Sequence, residues 1–201
     1  MRYSVRDLVY VGVFAGCWGA IEITVGAILH VLRVPFGGVL LTGAGIAIAL
    51  VGRLYVSRAG SVLLIAIVTA LLKMLSVDGI VLSPMIAIVA EGACAELGLS
   101  GRRLSRGVFV VSGAMACLWP LVHTLLSAWV VGGAGLLMAY RTILERAVNG
   151  LGIPRAWGWT VLASLVVLHV AVGVVAGLLA WQVGQGLQRR GRGWDKDATH
   201  A

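Results

Sequence analysis

The stretch from Asp7 to Val31, DLVYVGVFAGCWGAIEITVGAILHV, decides the fold. After its opening aspartate, the run carries a single acidic residue, Glu22. A helix needs about 20 apolar residues to cross roughly 30 Å of hydrocarbon, and this run is long enough. It is too long for the apolar core of a signal peptide, and no small-residue cleavage site set before a soluble domain follows it, so this helix is expected to remain in the mature protein. Ser4 and Asp7 form a capping-box pattern at its start.

The rest of the chain repeats this pattern. Of 201 residues, 60% are hydrophobic and 12% charged, whereas soluble domains are about half apolar and a quarter charged. Charges divide the sequence into six apolar runs, at about 7–31, 37–56, 60–77, 84–99, 107–131 and 157–184. This predicts an all-α membrane protein, a single six-transmembrane-helix bundle over 1–188. Ser83-Pro84 gives the fourth helix a cap and an N1 proline. Arg141, Glu145, Arg146, Asn149 and Arg155 interrupt 132–156, which reads as an external loop with an interfacial helix. The last segment, 189–201, reads as a mobile basic cytoplasmic tail.

The 16 basic residues outnumber the 8 acidic ones. They fall between apolar runs, which makes them topology signals and not a nucleic-acid surface. With both termini in the cytoplasm, eleven basic residues lie inside and five outside, as the positive-inside rule requires. The expected location is the cell inner or plasma membrane, with multiple passes. Cys17, Cys94 and Cys117 are odd in number, lie in apolar runs and have no CxxC spacing, so neither a disulfide framework nor a metal site is expected.

Ionisable groups within hydrocarbon are costly, so their depth is informative. Glu22 and His30 share a broad face in the outer part of helix 1, and Lys73 lies near the outer end of helix 3. Glu91 is about 12 Å below the outer start of helix 4 at 1.5 Å per residue. Trp119 and His123 are aligned in helix 5, and Trp157 opens helix 6. Convergence of these polar groups from several helices predicts an outward-facing cavity, with Glu22, His30, Lys73, Glu91, Trp119, His123 and Trp157 as candidate substrate-binding residues. Each also admits a plainer role. Glu22 with His30, and Lys73 with Asp78, could be structural ion pairs; Trp157 could be an interface anchor; His169 reads as packing and Glu96 as the partner of an inner arginine.

Gly12, Gly16 and Ala20 recur every four residues, leaving one face of helix 1 nearly free of side chains, the small-xxx-small pattern of helix association. Together with GAILHVLRVPFGG (Gly26 to Gly38) and KMLSVDGIVLSPMIAIVAEGACAE (Lys73 to Glu96), the chain resembles the substrate-binding S components of energy-coupling factor (ECF) transporters along nearly its whole length. In that family the helix 1 signature is usually Ala-x-x-x-Ala, here replaced by glycines. The resemblance implies capture of a vitamin or vitamin precursor from outside, and delivery with a transmembrane T component and two ATPases. It also implies that Gly12, Gly16 and Ala20 form the partner interface and that the Gly26–Gly38 connection covers the pocket. The Met-His N-terminus of the metal-transporting members is absent, which makes metal cargo the weaker expectation.

The chain has no GxxxxGK[ST] loop for ATP, and no cofactor is expected. An intramembrane hydrolase or protease is a competing reading, but Glu91 and Glu96 are about 140° apart around a helix and neither HExxH nor GxSxG occurs. A stand-alone secondary transporter is a second alternative.

Overall fold

The structure is a computed structural model describing residues 3–198, apart from 33, 35, 77–81, 133–140, 142–144, 146–148, 150, 151, 153, 155 and 156; side chains at 30, 127, 128, 131, 132 and 191–198 are also outside the described set. Six helices are described: α1 (Val5–Val31), α2 (Gly37–Tyr55), α3 (Ser61–Lys73), α4 (Leu82–Leu99), α5 (Arg106–Gly132) and α6 (Gly158–Ala198). There are no strands among the described residues. Five helices are long and apolar enough to cross a membrane. The exception is α3, whose 13 residues reach about 20 Å at 1.5 Å each, against the longer run expected over 60–77. The helix ends at Lys73 and passes into turns over 74–76.

The other departure is α6. It continues to Ala198, through the segment expected to be a mobile tail. Extending an existing helix adds one hydrogen bond per residue fixed, so an arginine- and glutamine-bearing continuation can stay helical. Most of the interfacial helix expected in 132–156 lies outside the described residues.

The bundle is organised around α2, which packs against all five other helices. Of the α2 span, 67% is buried, against at most 39% in the other four long helices. Its sequence explains this position. Gly43, Gly45 and Gly52 leave room where an added Cβ would meet Val172, Trp18 and Ile65 respectively. Around this axis the outer surfaces present Val13, Ile86, Leu97, Val122, Val167 and Val175, as expected of helices bathed in lipid.

The two ends of the bundle differ. Arg6, Arg53, Arg58, Arg106 and Arg189 lie at one end, with the starts of α1, α3 and α5. There Arg58 bonds Asp7 at 2.9 Å, Tyr3 donates to the Ala59 carbonyl, and Gln188 donates to the Leu54 carbonyl. Among the described residues no arginine pairs with Glu96. Its carboxylate accepts the backbone N–H groups of Gly60 (2.7 Å) and Val62 (3.0 Å), capping α3 from a neighbouring helix where first-turn amides lack partners. The opposite end carries the exposed rings of Trp129, Trp157 and Trp159, a pattern typical of a membrane interface.

Candidate functional site

Two features occupy the tryptophan-bearing half, on different sides of α2. The first is a buried polar network. Trp18 is fully buried, its indole fitting where Gly45 has no Cβ, and it donates to Glu22 Oε1 at 3.3 Å. Lys73 reaches across from α3 to donate to the Glu22 carbonyl at 2.9 Å, with its Nζ 4.0 Å from Glu22 Oε2. The pair is more than nine-tenths buried, where opposite charges at this distance attract by about 4 kcal/mol at an effective dielectric near 20. On the next faces, Thr42 of α2 donates its hydroxyl to Glu91 Oε1 of α4 at 2.8 Å, and both residues are buried. Gly92, directly after Glu91, lies against Ala66 of α3, where a Cβ would collide. This packing draws α3 and α4 together beside the carboxylate.

The second feature is a cavity of about 300 Å³ between α2, α5 and α6. Phe36, Gly38 and Val39 close it at the start of α2. Pro120, Leu121, Thr124 and Leu125 form the α5 wall; Gly158, Val161, Leu162, Leu165 and His169 form the α6 wall. His169 follows Gly158 by three helical turns, which puts it about 16 Å along the axis from the tryptophan end. Its Nδ1 is 2.8 Å from the Leu165 carbonyl, and the residue is only 6% exposed.

The cavity begins one turn from a place where the backbones of α5 and α6 approach closely. Gly113 faces the Gly173 carbonyl, and Gly177 faces the Phe109 carbonyl, so closely that any Cβ would collide with backbone. Helices that touch at small residues and cross at an angle separate on either side. Towards the tryptophan end, that separation is the hollow above His169. Phe36 at its edge holds φ 61°, an uncommon left-handed conformation for a bulky residue that costs of order 1–3 kcal/mol.

The structure therefore brings Glu22, Lys73 and Glu91 into the α1–α4 side of the bundle, with Trp18 and Thr42. Trp119 and His123 are stacked edge to face at 6.4 Å on α5, and His123 Nε2 is 3.4 Å from Ser83 Oγ. The Trp119 Nε1 is buried and has no hydrogen-bond partner among the described residues. Trp157 is exposed beside Gly158. None of these six is among the residues lining the cavity. The side chain of His30, and Asp78 altogether, lie outside the described residues. Sequence reasoning missed Trp18, Thr42 and the cavity walls, and assigned His169 to packing. The available signal was the glycine pair Gly173 and Gly177 one turn beyond His169.

No described residue covers the small face of helix 1 at Gly12 and Gly16. An added Cβ at Gly12 or Gly16 would meet nothing within 4 Å, and Ala20 and Cys17 are exposed beside them. Gly19, on the inward side, packs on Leu72. In comparisons with known proteins, no family model, curated protein or solved structure matches this chain.

Proposed function

We propose that this chain is the substrate-capture subunit of an ECF-type importer, spanning the membrane six times with both termini in the cytoplasm. The cavity of about 300 Å³ between α2, α5 and α6 carries the reading. That volume is at the lower end for small-molecule sites. The positive-inside rule turns the arginine-rich end to the cytoplasm and the cavity to the exterior. A vitamin or vitamin-precursor-like solute enters between Phe36 and the first turn of α6. The connection before Gly38 then closes over it.

Energy comes from other subunits: a transmembrane T component and two ATPases. The uncovered Gly12, Gly16 and Ala20 face is where the T component docks, since a helix surface without side chains permits close backbone approach. In this reading Glu22, Lys73 and Glu91 hold the helices against which the cavity walls move, and they do not touch the cargo.

The test is Gly16→Leu. Because no described residue lies within 4 Å of a Cβ added at Gly16, the variant should fold and retain its bound solute. Uptake by cells and recovery of the ATPases with the purified subunit should both fall at least about tenfold. Unchanged uptake would remove helix 1 as the docking face and the importer assignment with it.

A further inference from the structure

We infer that the cargo is an uncharged, mostly apolar molecule whose buried end carries a hydrogen-bond donor directed at His169. This rests on the capture reading above and names the chemical class it leaves open.

Among the described residues two polar side chains line the cavity, Thr124 and His169, and both direct a proton to a carbonyl of their own helix. The Thr124 hydroxyl donates to the Pro120 carbonyl at 2.7 Å. The His169 Nδ1 meets the Leu165 carbonyl at 2.8 Å. A carbonyl oxygen cannot donate, so Nδ1 carries the hydrogen, and in the neutral ring Nε2 is left as an acceptor. His169 forms no second hydrogen bond among the described residues. What these side chains offer a ligand is therefore lone pairs: one imidazole nitrogen at depth and one hydroxyl oxygen above it.

Charge complementarity narrows the class further. The ionisable groups that could neutralise a cation, Glu22 and Glu91, are engaged by Lys73, Trp18 and Thr42 away from the cavity. Among the described residues no arginine or lysine lines the walls, so a carboxylate or phosphate beside His169 would meet no cation from them. A lipid chain would satisfy the apolar walls. It would leave the His169 nitrogen without a partner at the buried end, a cost that a hydroxyl or ring N–H removes.

The discriminating pair is indole and benzothiophene, of nearly the same shape, of which only indole donates a hydrogen bond. Binding to the full chain in lipid nanodiscs is measured by calorimetry against empty nanodiscs, with trimethylphenylammonium as the cationic probe. Indole should bind about tenfold or more tightly than benzothiophene, and the cationic probe should bind more weakly than either. His169→Phe should make the two bicyclic probes equal while leaving the thermal transition in place.

Equal affinities in the unaltered protein, or preference for the cation, would overturn the inference while leaving the chamber intact. Benzothiophene binding unaffected by filling the cavity with Leu165→Trp would place binding elsewhere and overturn the chamber as well. Absence of binding by all three probes would do the same.

Discussion

The two sides of α2 use polarity in opposite ways. On the α1–α4 side, Glu22, Lys73, Thr42 and Glu91 are buried and bonded to neighbouring helices. On the α5–α6 side a cavity of about 300 Å³ has walls that are mostly leucine, valine, proline and glycine, with Thr124 and His169. Ionisable residues in a bilayer reveal where helices must meet, because each needs a partner from a neighbour. The cavity is instead bounded mostly by residues that look like ordinary lipid-facing sequence. In this molecule, charge marks cohesion and glycine spacing marks the place where helices cross and then part.

The contrast breaks first at the crossing. Gly173→Val would drive a branched side chain into the backbone of Gly113 and Ala114, with no flexible atom to yield. The loss should exceed about 4 kcal/mol, the range of exceptional substitutions, and little monodisperse protein should survive detergent extraction. A folded variant with normal probe binding would show that the α5–α6 contact does not shape the cavity.

A smaller effect is expected on the other side. Lys73→Met leaves the Glu22 carboxylate buried without its ion-pair partner, at a cost of about 3 kcal/mol. Unfolding in a graded denaturing detergent should show that loss. The affinity of the remaining folded protein for indole should change by less than about threefold, or about 0.6 kcal/mol. A tenfold loss of affinity at equal folding would return Lys73 to the ligand site and erase the division of labour.

Much of the fold was legible in the sequence because bilayer thickness imposes a length on each apolar run. The predicted 37–56 and 84–99 differ from α2 and α4 by only one or two residues at either end. The third run was not, since α3 stops at Lys73 where that side chain turns back to the Glu22 carbonyl, a tertiary contact with no local signature. The central place of α2 was hidden for a related reason: glycine is common in transmembrane helices, so Gly43, Gly45 and Gly52 look unremarkable until Trp18 and Ile65 are seen to occupy their space.

The candidate site was legible only in part. Depth counting picked out Glu22, Lys73 and Glu91 as substrate-binding candidates, and all three are buried. It gave no sign of the bonds that Thr42 and Trp18 make to the two carboxylates, because those partners arrive from other turns. The cavity's polar lining residues, Thr124 and His169, gave little signal, since the isolation of His169 among small residues reads equally well as packing.

The most direct measurement is native mass spectrometry of the purified chain beside Leu165→Trp, in which the added ring fills the cavity. The unaltered protein should carry one small neutral molecule per chain, and Leu165→Trp should carry none while keeping its helical content. The same molecule on both proteins, or only phospholipid on the unaltered one, would contradict solute capture between α2, α5 and α6.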